Sequence, residues 1–397
     1  MYKRQKPSIV TITGSVGKTS TKDAIYTVLS KTAYIRKSDK SFNSDIGIPL
    51  TILGCKNGWN DPVTWLKNLF FGLELIVFKT EYPKCLVLEI GSDHPGDIKR
   101  MTSWIKSDIV VITKVSEIPV HVEFFKTPED VFTEKFTLTQ CLKKDGVLVI
   151  SADDKRLVEG AKQIKQKVLT FGIENQANVF ASDIAIDLNN GISFKLNNEN
   201  NSVIVNIKGV IGNHHIYPVL AAATVGIVKG VKMENISELL AVHAAPRGRM
   251  NIIEGINDSV LIDDTYNSSP DALKEALITL SKIQAVGKKI AVLGDMMELG
   301  KYSADEHRKA GEYALKVCDI LITVGPRAKQ MSEGSIHFDS SVDAGEYLKT
   351  IVNKGDIVLI KGSQFVRLER ATKALLAQPE KAQELLVRQD PNWLAKK

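Results

Sequence analysis

The run Ile9–Val10–Thr11–Ile12–Thr13–Gly14–Ser15–Val16–Gly17–Lys18–Thr19–Ser20 carries the clearest chemistry in this chain of 397 residues. β-Branched apolar residues give way to glycines, then a lysine and hydroxyls, and Ala24, Ile25, Val28 and Leu29 follow at helical spacing. Strand, loop and helix in that order turn backbone N–H groups and a helix N-terminus toward one point, where an anion binds and Lys18 neutralises it. Gly14, Ser15, Gly17, Lys18, Thr19 and Ser20 are thus the candidate cradle for nucleotide phosphates. The hydroxyl of Thr19 stands where a Mg²⁺ ligand is usual. The spacing G-x-x-G-K-T is shorter than the general phosphate loop, and a plain glycine turn is the competing reading.

The elements that must position this cradle follow from the hydrophobic pattern. Apolar runs at 86–91, 108–113 and 146–150 alternate with helical patterns, among them 128–142, which argues for a parallel sheet covered on both faces. From 179 to 210 the pattern becomes period-two around Asn189–Asn190–Gly191, a small antiparallel annex. A helix over 216–229 closes this unit, and residues 244–249 read as a linker. Beyond them, strands at 260–263, 289–294, 320–324 and 356–361 with helices between predict a second, Rossmann-like α/β unit, with a helical tail from Gln378. The expected division is therefore 1–243, a parallel-sheet nucleotide-binding domain carrying an inserted segment at 54–84, and 244–397. Glu89, Thr113, Asp263, Asp295 and Lys361 stand at or just beyond the C-terminal ends of expected parallel strands, the edge where open α/β sheets bind ligands.

Composition narrows the class. A net charge of +6 suits polyanionic substrates without demanding nucleic acid, and no interleaving of aromatic and basic residues suggests a base-stacking surface. The four cysteines lack metal spacing, so a reducing cytoplasm and no structural zinc are expected. The chain runs directly into its first strand, so no signal peptide is expected. Its most apolar stretch, Trp65 to Phe78, is broken by Lys67, Asn68 and Glu74 and is short for a membrane span; a buried or interfacial helix is expected.

Seven stretches, in order, resemble the Mur ligase family. They are T-G-S-V-G-K-T-S at 13–20, S-F-N-S-D-I-G-I-P-L at 41–50, V-L-E-I-G-S-D-H-P-G-D-I at 87–98, R-G-R-M at 247–250, D-D-T-Y-N-S-S-P-D at 263–271, L-G-D-M-M-E-L-G at 293–300 and K-G-S at 361–363. The resemblance covers nearly the whole chain. It implies an ATP- and Mg²⁺-dependent ligase in which a carboxylate attacks the γ-phosphate, giving an acyl phosphate that an amine then converts to an amide. Within the family it is most similar to the branch that adds D-alanyl-D-alanine to a UDP-N-acetylmuramoyl-tripeptide in peptidoglycan precursor synthesis.

The resemblance also implies roles. Lys18 would grip the β/γ-phosphates, and Thr19 and Glu89 would hold the first metal. His121 and, fourteen positions later, Lys135 would flank the second, Lys135 as a carbamate. His215 would meet adenine, Asp264 the ribose, with Tyr266 and Asn267 close to the nucleotide and Arg249 reaching the phosphates. Asn43, Asp295, Glu298, His307, Lys361 and Ser363 would line the substrate side. Each has a plainer reading: a paired strand-end carboxylate for Glu89, a solvated helix lysine for Lys135, a structural histidine for His215, helix-capping acids for Asp295 and Glu298.

The sequence departs from the family pattern in places. His215 and Pro218 replace usual Asn or Gln and Asn, and Lys114 with a longer stretch precedes His121. The usual N-terminal domain for the UDP end is not recognised before the first strand. The segment at 54–84 is expected either to take part of that role, to dock a partner or a membrane surface, or to cover the sheet. Competing functions are a folylpolyglutamate synthase-like or muropeptide-amidating ligase, the latter usually with a zinc insert not found here, and a nucleotide-gated binding module without turnover.

Overall fold

The structure is a computed structural model that describes residues 2–39, 42–199, 201–243, 245–331 and 335–395. Ser41, of the stretch 41–50, and Ala244, of the linker read from sequence, lie outside the described residues. Among the described residues two sheets form. The first contains β1 (Ser8–Thr13), β2 (Ile35–Lys37), β3 (Cys85–Glu89), β4 (Ser107–Ile112), β5 (Leu142–Ser151), β6 (Lys167–Gly172), β7 (Val179–Asp187), β8 (Gly191–Asn198) and β9 (Ser202–Ile207). Its order is β2-β3-β1-β4-β5-β6-β7-β8-β9, parallel as far as β7 and antiparallel from there to β9.

β1 is central because it is buried on both faces. Val10 and Ile12 join a core with Ala24, Ile25 and Val28 of the helix Lys18–Ser30, while Ile9 packs on the other face with Leu86, Leu88 and Ile112. Val10 pairs with Val87 on one side and Ile109 on the other, so β3 and β4 end on either side of the loop that leaves β1. A chain leaving such a strand sits at a point where the strand order reverses, and open α/β sheets bind ligands there.

The second sheet contains β10 (Asn251–Gly255), β11 (Ser259–Asp264), β12 (Lys289–Gly294), β13 (Ile320–Val324), β14 (Ile336–Phe338) and β15 (Ile357–Lys361), in the order β10-β11-β15-β12-β13-β14. Only β10 runs antiparallel, as an edge strand. Helices cover both faces through two separate cores. The mixed α/β class and parallel sheets expected from the apolar runs are what the chain adopts.

Local detail differs from the sequence reading where local signals are weak. The helix expected over 128–142 ends at Phe136, and residues Thr137–Cys141 tighten into a 3₁₀ turn before β5. The tail after Gln378 is not one helix but short pieces, Pro379–Lys381, Ala382–Leu385 and Pro391–Leu394, interrupted by extended residues and by Pro391. β2, β10 and β14 are three to five residues long, too short for a period-two pattern to register. The helix Pro62–Val77 of the inserted segment meets the core through Leu75 and leaves most of its side chains exposed.

Candidate active site

The loop after β1 is held open by its neighbours. Ser15 N–H donates to Lys114 O at 2.7 Å, and Thr113 Oγ1 donates to Val16 O at 2.7 Å. Gly14 has φ +143° and a Cβ there would lie 2.0 Å from Thr113 Oγ1, while Gly17 has φ +85°, so neither position takes a side chain without strain. The Ser15 hydroxyl is buried with no partner, an unmet hydrogen-bonding group inside the cradle.

Lys18 is enclosed and its Nζ donates to Gly14 O at 2.9 Å. Burial lowers its pKa, the Glu89 charge opposes this and Arg249 adds to it. Thr19 Oγ1 lies 3.1 and 3.0 Å from the two oxygens of Glu89, and Lys22 Nζ lies 3.6 Å from the carboxylate. Thr19 and Glu89 together offer hard oxygen donors beside the cradle. Among the described residues no group of three or more His, Cys, Asp or Glu side chains is arranged to hold a metal ion by itself, so a divalent cation beside Thr19 and Glu89 would complete its shell with phosphate oxygens and water. That is the coordination Mg²⁺ favours over an all-protein cage.

A second group of side chains comes from the loop after β3 and the helix Pro128–Phe136. That helix starts on a capping box between Thr127 and Asp130 and carries Lys135 inward, 2% exposed. Lys135 Nζ reaches Ser92 Oγ at 3.3 Å. Burial, with the Lys18 ammonium adding to it, pushes Lys135 down to about 7. The neighbouring Glu134 accepts from the N–H groups of Gly96 at 2.9 Å and Ile98 at 2.7 Å, which fixes the loop containing Asp93 on this helix. His121, at φ +69°, stands 3.4 Å from Asp93 Oδ1 through Nε2 and 2.8 Å from Glu298 Oε2 through Nδ1. Glu298 comes from the loop after β12, so this contact joins the two sheets' loops. Asn43 packs on the same end of β3, its carbonyl accepting from Gly91 N–H at 2.9 Å.

Facing the cradle across a cleft are residues of the second sheet. Asp264, the last residue of β11, pairs with Lys361, the last of β15, at 2.7 Å, and both are almost fully buried. Lys361 Nζ also donates to Asn267 O at 3.1 Å. The Arg249 guanidinium lies 4.3 Å over the Tyr266 ring. Gly17 and Val16 on one side and Arg249, Asp264 and Lys361 on the other line this cleft, which holds about 970 Å³ of empty space, part of it open to solvent. Phe171, Tyr217, Pro218 and His214 form its less polar end. The lining suits a nucleotide, with Phe171, Tyr217 and Pro218 for an apolar base and Lys361 and Arg249 for phosphates.

Several residues expected at the site have different positions. His215 is 5% exposed with Nε2 2.8 Å from Arg249 O and does not line the cleft; His214 does, its Nε2 buried and unpartnered. Burial, with Lys361 and Arg249 adding to it, holds His214 down to about 3, so the imidazole is neutral. His307 is fully buried and its ring nitrogens engage Met296 N–H at 2.9 Å and Ser303 O at 2.7 Å, so it fixes the turn after β12 from below. Asp295 is likewise occupied, accepting from Arg327 and Ala328 N–H groups at 3.0 and 2.7 Å, and its carbonyl accepts from Ser363 N–H at 2.9 Å. Sequence reasoning missed Asp153 and Glu174, which follow β5 and β6 and line the cleft. Asp153 accepts the Tyr217 hydroxyl at 3.0 Å and Ile173 N–H at 2.7 Å. The strand-end rule already applied to Glu89 would have found both.

The description of the Mur ligase middle domain matches residues 12–226, and that of the Mur ligase, glutamate ligase domain matches residues 248–364. The chain is 27% identical over 381 residues to the UDP-N-acetylmuramoyl-tripeptide--D-alanyl-D-alanine ligase of Bacillus subtilis (strain 168), covering 94% of this chain and 76% of that one. The MurF ligase of Thermotoga maritima, solved in complex with ADP, superposes with a TM-score of 0.79 at 26% identity, covering 95% of this chain and 81% of the other. A bifunctional folylpolyglutamate synthase/dihydrofolate synthase shares the fold at a TM-score of 0.62 and 17% identity.

Proposed function

The chain belongs to the Mur ligase family, whose members are ATP-dependent, ADP-forming amide ligases, and from that premise we propose that it adds D-alanyl-D-alanine to a UDP-N-acetylmuramoyl-tripeptide in peptidoglycan precursor synthesis. The choice of substrates follows the relatives at 27–28% identity that carry this activity in their names. The observation that carries the reading is the cleft itself: a phosphate cradle on one sheet faces Arg249, Asp264 and Lys361 from the other.

In this mechanism the backbone N–H groups of residues 15–19 and Lys18 hold the β- and γ-phosphates. The substrate carboxylate attacks the γ-phosphorus in line, ADP departs, and an acyl phosphate forms. The amine of the dipeptide attacks the acyl carbon, the amide forms and inorganic phosphate leaves. The protein's part is positioning and charge neutralisation. Arg249, approaching from the second sheet, offsets charge on the transferring phosphoryl group. Tyr266 supports that guanidinium from beneath its plane, and the Asp264–Lys361 pair borders the sugar and phosphates.

Thr19 and Glu89 would hold a first Mg²⁺, and His121 with Lys135 a second. Mg²⁺ would supply charge neutralisation and geometry to the phosphates. Lys135 supports this assignment best as a carbamate. A neutral amine adds CO₂ with loss of one proton, and its burial beside Lys18 keeps a large fraction of Lys135 neutral near pH 7. The product replaces a buried cation with a hard oxygen ligand. Work in the cytoplasm fits four cysteines that are free, and no described helix is long and apolar enough to cross a membrane.

The test is ADP release measured with each substrate omitted in turn. Turnover that needs both the UDP-muramoyl-tripeptide and D-Ala-D-Ala supports the reading. Turnover with a pteroyl acceptor and glutamate instead, or nucleotide binding without amine-dependent turnover, overturns it.

A further inference from the structure

The helix Pro62–Val77 inverts the ordinary pattern of a surface helix. Asp61 caps it, accepting from Val63 N–H at 3.0 Å, and Pro62 opens it. Of its side chains only Asn68 and Leu75 are buried, Asn68 donating to Lys56 O at 2.9 Å and Leu75 entering the core beside Ile52 and Tyr82. At about 100° per residue, Leu66, Leu69, Phe70, Leu73, Ile76 and Val77 fall within an arc of roughly 120° on the side away from Asn68 and Leu75. All six are exposed, Leu69 by 71% and Phe70 by 65%. An amphipathic helix of a monomeric protein turns such a stripe inward. A continuous apolar face left in water marks a surface that something covers.

Shape and charge select what covers it. The helix is a convex rod of sixteen residues, about 24 Å long, too short to cross a bilayer's hydrocarbon of roughly 30 Å but suited to lying in its interface. Aromatic residues mark both ends, Trp59 80% and Phe78 60% exposed. Lys67 is exposed on the helix flank, where Glu74 is the opposing charge, and exposed Lys79 follows Phe78, with exposed Glu81 two residues on. Gln5 Nε2 donates to Leu75 O and Phe78 O at 3.1 Å each, which brings the exposed Arg4 and Lys6 to the same end. An apolar stripe, aromatic ends and a cationic border are the features of a helix that lies among anionic headgroups. We propose that Pro62–Val77 is a peripheral docking element that seats this protein on the surface of an anionic phospholipid bilayer. The inference stands on this face alone and is independent of which substrates the cleft takes.

The experiment is co-sedimentation of the full chain with vesicles of phosphatidylcholine alone or mixed with phosphatidylglycerol, with mass measured by light scattering. The expected result is binding to the phosphatidylglycerol vesicles, weakened by raised salt and on the order of tenfold weaker on phosphatidylcholine alone. Leu69→Glu with Phe70→Glu should lower vesicle binding by at least about tenfold while leaving ATP binding unchanged, since these side chains are exposed and outside the cleft. Lys67→Glu with Lys79→Glu should remove the preference for phosphatidylglycerol. Binding that survives the Leu69→Glu/Phe70→Glu pair overturns the proposal. So does failure to bind either vesicle, whether the chain is then monomeric or is a dimer that the same pair dissociates.

Discussion

Replacing Glu298 by alanine removes the contact that ties the loop after β12 to His121 across the cleft. The carboxylate lies 2.8 Å from His121 Nδ1, with the two side chains 30% and 24% exposed. Tyr302, four residues on, packs against the small cluster of Val122, Phe125 and Val131, so the two loops are already held near each other. The carboxylate's own contribution is therefore orientation of the imidazole rather than docking of the loops. A close ion-pair contact in such a half-exposed setting is worth about 1 kcal/mol after screening, or roughly 5-fold in a rate or an equilibrium. The expected outcome is a fall of that size in kcat for ADP release with both substrates saturating, little change in the KM for ATP, and partial retention in Glu298→Gln, whose amide oxygen still accepts. The bond to His121 lowers the Glu298 pKa below its ordinary 4.5, so the contact is complete above that value and fades as pH falls through the lowered one. Thermal unfolding checks that the change is local. Glu298→Ala with kcat unchanged, or with a loss matched by wholesale unfolding, refutes the reasoning.

Other expectations follow from the same geometry. Lys18→Ala should weaken ATP binding and turnover on the order of a hundredfold or more, read by nucleotide titration and ADP release, because it removes the cation from the phosphate cradle. Gly14→Val should lose nucleotide binding outright, since a side chain there meets Thr113 Oγ1 at a backbone angle that valine does not adopt; a nucleotide titration on the folded variant reads it. Lys361→Met strands the buried Asp264 carboxylate and should cost about 3–5 kcal/mol in denaturant unfolding, while Lys361→Met with Asp264→Leu should recover much of it. Asp263, with Oδ2 unpartnered and Oδ1 bonded by Thr265 and Thr372, is raised by burial from 3.8 to about 7. The folded state then holds a proton that the unfolded state has released, so stability falls as pH rises through that interval and levels off above it; Asp263→Asn should flatten the slope in urea titrations at several pH values.

The local pattern of the chain was enough to determine the strand–glycine loop–helix unit at its start, the parallel sheets and several of the strand ends that face the cleft. These are features of a few adjacent residues: a β-branched run, glycines where φ must be positive, a helix of period 3.6. Lys18, Thr19 and Glu89 converge because β1 and β3 are neighbours, a pairing that apolar runs alone do not specify. Distance along the chain hid the rest. Nothing local distinguishes His214, which lines the cleft, from His215, which turns away to Arg249 O. Asp295 is engaged by the N–H groups of Arg327 and Ala328 from the turn after β13, a contact that its own neighbourhood in the sequence does not announce. The partnership of Glu298 with His121 required two loops separated by more than 170 positions to meet. The outward face of Pro62–Val77 was equally undecided: an apolar helix packs inward by default, and only the position of the core on the Asn68 and Leu75 side leaves its greasier face in water.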